Sequence, residues 1–233
     1  MHAWDIPIYP AAEAGRLVEL SSARVRRWLQ GYEYTYKAGT KNEQRSGSKG
    51  PIVKRQESDI SSYASFLDLI DLLFVKEFIS YGLSLQKIRR ALDEAEQIVG
   101  GHHFAQSKFF TNGKKIYFEI NEKADTFDAL MELLSGGQWV IAPVIKQFAH
   151  KVEFDTPTGY VKRWFPLGSS GLVVLDPSIS FGKPALVNKG IATANVYDFY
   201  LAENKNTSKV SKWLDLREEE VQAAVNFEQK LAA

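Results

Sequence analysis

The spacing of apolar residues predicts two short helices near the start of the chain. One covers Ala11 to Val18, and the other covers Ser22 to Gln30 and ends at Gly31. The apolar face of the second helix follows the i, i+3, i+4 rule and consists of Val25, Trp28 and Leu29. Three basic side chains project away from that face: Arg24, Arg26 and Arg27. Two short helices joined by a tight turn are the layout of a helix-turn-helix unit.

Aromatic residues then alternate with polar ones, which predicts a β-strand over Tyr32 to Lys37. We expect Pro51 to Val53 to form the second strand of a hairpin. The polar, glycine-rich and basic residues 38–50 between the strands should form a tip that is mobile without a ligand. We also expect at least one of the three tyrosines in the first strand to pack on the preceding helix.

Two longer helices are predicted after the hairpin. An apolar run from Ser65 to Ile79 predicts a buried helix that ends near Gly82. Ser84 should cap an amphipathic helix from Leu85 to Val99. The residues of that helix expected to face inward are Ile88, Leu92 and Ala95. The order helix, turn, helix, hairpin, helix, helix predicts a winged helix-turn-helix domain over residues 1–101.

The middle of the chain, residues 102–166, gives weaker signals. The Asn112-Gly113 pair between alternating apolar residues predicts a hairpin over 109–120, and residues 129–134 predict a helix. Two further apolar stretches, 140–148 and 160–165, fit either a helix or a strand. The glycine- and serine-containing stretch 166–171 predicts a linker and a domain boundary.

Residues 172–233 predict a third domain that begins with a strand and a turn. Three helices follow, at about Val196–Ala202, Ser208–Trp213 and Arg217–Leu231. Seven basic residues nearly balance eight acidic ones, so we expect a dimer or partner surface here rather than a grip on phosphate. The predicted fold class is α+β, mainly α, with a winged helix-turn-helix, a middle region containing a hairpin and a C-terminal three-helix module.

Composition limits the location and the chemistry of the protein. The chain has 233 residues, 45% of them hydrophobic, and no run of eighteen apolar residues. Its first residues lack the basic and apolar segments of a signal peptide, so we expect a cytoplasmic protein without membrane contact. The absence of cysteine excludes disulfides, thiolate nucleophiles and thiolate metal sites.

Candidate catalytic and metal-binding groups are few. His102 and His103 are adjacent, so their side chains point apart, and no carboxylate stands at ligand spacing. Asp68 and Asp71 fit a polar stripe at the edge of a core helix better than a catalytic pair. The sequence Gly182-Lys183-Pro184 lacks the upstream glycine and the following Ser or Thr of a phosphate loop. We therefore expect no enzyme activity, no metal and no cofactor.

Charge is distributed unevenly along the chain. Residues 1–56 carry ten Lys or Arg against five Asp or Glu, whereas residues 57–134 carry eight against thirteen. A basic segment beside an acidic one suits a protein that contacts phosphate with one end only. The predicted DNA-binding residues are Ser22, Arg24, Arg26, Arg27, Tyr34, Lys37, Lys41, Arg45, Lys49 and Lys54.

The first hundred residues contain the run S-x-x-x-V-R-x-W-x-x-G-Y from Ser21 to Tyr32. This run resembles the amino-terminal part of MerR-like winged helix-turn-helix proteins. The resemblance implies DNA binding by the second helix and the wing.

A second resemblance covers the end of the chain. Gly182-Lys183-Pro184 and the closing run Glu220 to Phe227 resemble a small domain carried by many VapB-type antitoxins. Members of that family have a G-T-R turn where this chain has Asn188, Lys189 and Gly190. Because Asn tolerates a positive φ, we expect the turn to be kept here.

Together the two resemblances imply an antitoxin of a type II toxin–antitoxin pair. Such a protein represses its own operon as a homodimer or in a larger toxin–antitoxin assembly, and it neutralises a PIN-type ribonuclease toxin by covering an acidic active site. Arg163, near the linker, is one residue that could reach those carboxylates. The alternative is a stand-alone MerR-like transcription regulator with an effector pocket in residues 102–165, and an enzyme of unrecognised type stands behind both.

Overall fold

The computed structural model describes residues 3–38, 43–53, 63–80, 82–89, 105, 148, 150–168 and 171–232. This part combines helices with four two-stranded antiparallel sheets, which confirms the predicted α+β class. The described residues pack as two compact units. The first comprises those between 5 and 105, and the second comprises those between 145 and 233 together with residues 3–4. Within the described ranges, no helix is long and apolar enough to cross a membrane.

Short helices and small sheets build the first unit. Its helices are α1 (Ala11–Val18), α2 (Ser22–Gln30) and α3 (Phe66–Ser80), and residues 85–89 are also helical. Its strands are β1 (Tyr9–Pro10), β2 (Tyr32–Ala38), β3 (Glu43–Lys49) and β4 (Tyr63–Ala64). The pairs β1–β4 and β2–β3 are antiparallel. Both α1 and α2 have the bounds that the apolar spacing predicted.

The α3 helix is buried along most of its length, as its continuous apolar run predicts. A capping box fixes its first turn. The Ser65 N–H donates to Asp68 Oδ2 at 2.7 Å, and the Asp68 N–H donates to Ser65 Oγ at 3.1 Å. Asp68 and Asp71 are both buried, so the prediction of a polar stripe at the helix edge is wrong. The S-x-x-D spacing was the signal that could have identified the role of Asp68.

The hairpin differs from its prediction in the second strand. We expected Glu43–Lys49 to lie in a mobile tip, but these residues form β3 and pair with all of β2. Ile52 and Val53, predicted as the second strand, donate their backbone N–H groups to the Trp28 carbonyl oxygen at 2.7 and 3.1 Å. Both side chains are buried, so their apolar character reflects core packing rather than sheet pairing.

Several predicted elements lie outside the described residues. They are the hairpin over 109–120, the helix over 129–134, the stretch 140–147, and the positions Leu92 and Ala95. The start of the second long helix is described and agrees with its prediction. Ser84 Oγ accepts the Lys87 N–H at 3.3 Å, and Ile88 is buried.

Two small sheets followed by helices form the second unit. Its strands are β5 (Val152–Phe154), β6 (Val161–Trp164), β7 (Val173–Val174) and β8 (Ala185–Leu186), paired β5–β6 and β7–β8. Its helices are α4 (Thr193–Ala202), α5 (Thr207–Leu214) and α6 (Glu218–Ala232), each within three residues of the prediction. The core between them consists of Leu186, Val196, Val210, Leu216, Val221, Ala224 and Val225.

The residues just before and just after the predicted linker, residues 166–171, are paired with each other. Trp164 and Leu175 exchange two backbone hydrogen bonds of 3.0 and 2.8 Å across it. Next to this pair, Arg163 Nε donates to the buried Asp176 Oδ2 at 2.7 Å. Arg163 is therefore held by a carboxylate of its own chain. The division into three domains stays a prediction.

The positive φ in the turn after β8 belongs to a different residue from the predicted one. Gly190, and not Asn188, adopts the left-handed backbone, with φ of 65°. Asn188 Nδ2 instead donates to Glu220 Oε1 at 2.8 Å, which ties the turn to α6. Burial of Glu220 opposes ionisation, but hydrogen bonds from Arg217 and Asn188 outweigh it and hold the pKa of this carboxyl below its usual value.

Candidate nucleic-acid interface

A tight turn sets α1 against α2. Glu19 ends α1 in a left-handed conformation with φ of 55°, and the Leu20 N–H donates to the Gly15 carbonyl oxygen at 2.7 Å. A Cβ at Gly15 would lie only 2.4 Å from the Leu20 carbonyl oxygen, so glycine permits this close approach. Lys76 of α3 forms an ion pair of 2.7 Å with Glu19 and fixes the turn from outside.

The α2 helix buries one face and exposes its arginines. Ser21 caps it by accepting the Arg24 N–H on Oγ at 3.3 Å. The buried residues are those predicted from the i, i+3, i+4 spacing: Val25, Trp28 and Leu29. Ser22 is half-buried in the first turn, and the exposed basic side chains are Arg24, Arg26 and Arg27. The α2 helix thus exposes three cationic side chains to solvent, while its apolar face is packed in the core.

The register of the hairpin sorts its side chains onto two faces. Residues directly opposite each other share a face, and the face alternates along each strand. One face, here called the tyrosine face, consists of Tyr32, Tyr34, Tyr36, Arg45, Gly47 and Lys49. The other carries Glu33, Thr35, Lys37, Gln44, Ser46 and Ser48. The tyrosine face combines aromatic rings with two cations and no carboxylate among these six residues.

The three tyrosine rings form a row. Their centroids are 6.0 Å apart between Tyr32 and Tyr34 and 5.9 Å apart between Tyr34 and Tyr36. Gly47 makes room for the middle ring, because a Cβ there would lie 2.8 Å from Tyr34 Oη. All three tyrosines are exposed, at 38%, 38% and 46%, so none is buried against the helix, although Tyr32 contacts Arg27 of α2.

Arg27 connects α2 with the tyrosine face. Its guanidinium carbon lies 5.5 Å from the centroid of the Tyr32 ring, within cation–π range. Helix and hairpin therefore meet where the Arg27 cation lies over the Tyr32 ring.

The base of the hairpin is fixed to the rest of the first unit. Gly31 adopts φ of 81°, and a Cβ there would lie 2.3 Å from the Lys49 carbonyl oxygen, so only glycine fits. Arg89 Nη1 donates to the carbonyl oxygens of Gly50 and Pro51. These contacts hold the start of β2 and the end of β3 next to α2, and they fix the tyrosine face relative to the arginines.

The structure places the described predicted DNA-binding residues on two elements. Arg24, Arg26 and Arg27 are exposed on α2, and Arg27 reaches Tyr32 on the tyrosine face, which also includes Tyr34, Arg45 and Lys49. Lys37 lies on the opposite face of the hairpin. Lys41 and Lys54 lie outside the described residues. The prediction left out Tyr32 and Tyr36, although their spacing from Tyr34 at every second position was the signal that all three share a face.

Other candidate chemistry is limited. Among the described residues no group of three His, Asp or Glu side chains could hold a metal ion, and His102 and His103 lie outside them. Gly182-Lys183-Pro184 begins at the last residue of a short left-handed turn, Ser180–Gly182, and leads into β8 rather than forming a phosphate loop before a helix. In the second unit, two aromatic side chains are largely exposed: Phe181 and Trp213.

Comparison with known proteins relates the chain to a mycobacterial protein. No family model matches. A curated protein of Mycobacterium tuberculosis named "Putative antitoxin VapB45" is 24% identical over 204 residues, which cover 83% of this chain and 82% of that protein. The crystal structure of Rv2018 from the same organism matches with a TM-score of 0.66 and 20% identity, over 95% of this chain and 99% of that one. The chain therefore has the fold of Rv2018 and is similar over most of its length to a protein named as a VapB antitoxin.

Proposed function

We propose that this chain is the antitoxin of a type II toxin–antitoxin pair. The observation that carries the proposal is the similarity to the mycobacterial protein, which spans both units rather than one shared module. The resemblance of the C-terminal residues to the VapB-associated domain points the same way. The proposal assigns binding to this chain, and catalysis to its partner.

The first binding activity is recognition of operator DNA by the first unit. In this proposal α1 and α2 form the helix-turn-helix, α2 enters the major groove, and the hairpin is the wing. Arg24 and Arg26 would contact base edges or phosphates, while Arg27 and the tyrosine face follow the backbone. A homodimer would place two α2 helices on a palindromic operator, with half-sites about one helical turn apart.

The second binding activity is neutralisation of a ribonuclease toxin of the PIN type. Such an enzyme depends on metal ions held by carboxylates, and an antitoxin inhibits it by covering that site. The decisive experiment is to isolate the tagged protein from its native host and to wash the complex at high salt. We expect a small ribonuclease that is silent in the complex and active with divalent metal once separated.

The outcome of this isolation also separates the antitoxin from the other candidate. A protein recovered alone, whose melting temperature responds to a small molecule, would be a stand-alone MerR-like regulator. Turnover of a substrate by the protein without a partner would instead identify an enzyme and contradict the proposal.

DNA recognition has its own test, which uses α2. Replacing Arg26 and Arg27 by Ala should weaken operator binding and reduce the dependence of log K on log salt by up to about 2, because each lost phosphate contact removes about 0.9. The matched control is Lys212→Ala with Lys230→Ala, which removes the same charge from exposed positions of the second unit. Equal effects of both pairs would mean that only net charge matters and that α2 is not the reading helix.

A further inference from the structure

Phe181 combines a strained backbone with an unburied ring. Its exposure is 90%, compared with 71% for Trp213, the next most exposed large apolar side chain among the described residues. Its backbone is left-handed, with φ of 55° and ψ of 37°, and Ser180 and Gly182 on either side also have positive φ. A bulky residue rarely adopts this conformation, because its Cβ approaches the following carbonyl oxygen.

Contacts around Phe181 hold the turn in this shape. The buried Asp176 accepts the Ser178 N–H and hydroxyl on Oδ1 at 2.8 and 2.5 Å, and it pairs with Arg163 through Oδ2. Ser180 Oγ donates to the Gly190 carbonyl oxygen at 2.5 Å. These bonds are made by residues that precede and follow Phe181, and none of them involves its ring. The fold therefore fixes the position of the ring without using it for packing.

A turn of this shape does not require an aromatic residue. Glycine or asparagine adopts a positive φ at lower cost, so a purely structural role would favour one of them at position 181. Strained residues that the surroundings hold in place are found at binding sites. Aromatic side chains that fill a pocket contribute much of the energy at protein interfaces, and a rigid one loses little entropy on binding.

We propose that Phe181 is the anchor by which the second unit binds its partner protein, in an apolar pocket bordered by carboxylates. We infer the carboxylates at the border of the pocket from Lys183, because a cation attracts groups of opposite charge across an interface. Lys183 is exposed two residues after Phe181 and has no ion pair among the described residues. This inference rests on the antitoxin function, under which the partner is the ribonuclease toxin. It adds the segment that contacts the toxin and the chemistry of the pocket.

The test measures binding of the full-length protein to the ribonuclease encoded in the same operon, produced separately. Phe181→Asn removes the ring and tolerates the left-handed backbone. We expect it to raise Kd at least tenfold while the melting temperature stays equal or rises. Phe181→Gly, which relieves the strain fully, should raise Kd equally. Lys183→Glu should slow association and reduce its dependence on salt. The control Trp213→Ala removes another exposed ring of the second unit and should change Kd less than twofold.

Each of the following outcomes would contradict the proposal that Phe181 anchors the second unit to the ribonuclease. If both Phe181 variants bind the ribonuclease with the wild-type Kd, the anchor is wrong while the antitoxin function stands. If they reduce self-association instead, the pocket belongs to a second copy of this chain. If the wild-type protein itself does not bind the ribonuclease, the antitoxin function and the anchor fail together.

Discussion

Asp176 shows how one buried charge organises the second unit. Its carboxylate joins β6 to the turn before β8, since Arg163 and Ser178 both donate to it. Burial raises the pKa of this carboxyl, but the hydrogen bonds from Ser178 and Arg163 outweigh burial and hold the pKa below its usual value. The folded state therefore stabilises the ionised form of Asp176 more than the unfolded state does.

The lowered pKa of Asp176 leads to a prediction about pH. A carboxyl with a depressed folded pKa stabilises the fold above its unfolded pKa of about 3.9, and the contribution is lost as pH falls through the folded value. Asp176→Asn should lower the free energy of unfolding by about 2 kcal/mol at neutral pH, and the difference from wild type should shrink below about pH 4. Urea unfolding followed by tryptophan fluorescence measures both.

Asp215→Asn is the matched control for this experiment. Asp215 is exposed at the end of α5, where its pKa is lowered by the hydrogen bond and the charge of Lys189. An exposed pair of this kind contributes little to stability. If the two variants behaved alike at neutral pH, the network around Asp176 would not stabilise the fold.

Gly15 gives a second prediction for a single residue. Alanine in a helix is normally favoured over glycine by about 1 kcal/mol. At Gly15 the added Cβ would collide with the backbone oxygen of Leu20, which cannot move without opening the turn between α1 and α2. We therefore expect Gly15→Ala to destabilise the protein by about 2 kcal/mol. Gly50→Ala, where nothing lies within 4 Å of the new Cβ, should be close to neutral in the same thermal unfolding assay.

Among the described residues, the sequence predicts the helices correctly and misses the strand β3, for a physical reason. The helices of both units bury apolar faces, and those faces are visible as periodicity: Val25, Trp28 and Leu29 are an example. The β3 strand contains Glu, Gln, Arg, Ser, Gly and Lys and buries no apolar face, so no alternation marks it. Its pairing depends on backbone hydrogen bonds to β2. The left-handed Phe181 could not be predicted either, since local preference opposes it.

The hairpin as an element carries a prediction that separates its two faces. Arg45 of β3 lies on the tyrosine face, and Lys37 of β2 lies on the opposite face of the same hairpin. Because Arg27 of α2 lies over the Tyr32 ring, we expect the tyrosine face to follow the DNA backbone. Arg45→Ala should therefore reduce the slope of log K against log salt for operator binding by about 1, whereas Lys37→Ala should leave this slope nearly unchanged.

Gel-shift titrations at several salt concentrations measure this difference. Both substitutions remove one exposed positive charge, so general electrostatic attraction affects them equally. A larger effect of Lys37→Ala would mean that the opposite face of the hairpin contacts DNA. The row of tyrosines would then be free for another partner.

The whole molecule consists of two units with separate chemistry. The first carries exposed arginines and the tyrosine face, while the second carries Phe181 and Lys183 on a nearly neutral module. Charge counting along the sequence anticipated this contrast, because net charge does not depend on tertiary structure. It did not identify the surface of the second unit, since the exposure of Phe181 follows from a turn that the sequence disfavours.

This separation predicts that the two binding activities can be removed independently. Arg26→Ala with Arg27→Ala should weaken operator binding and leave ribonuclease inhibition unchanged, while Phe181→Asn should do the reverse. If the two surfaces act independently, the free-energy changes of the combined variant should equal the sums of the single ones within about 0.5 kcal/mol. Titrating each variant separately with operator DNA and with the ribonuclease provides the full cycle. A larger deviation would show that the two units act as one energetically coupled body, and binding of toxin and DNA would then have to be treated as linked equilibria.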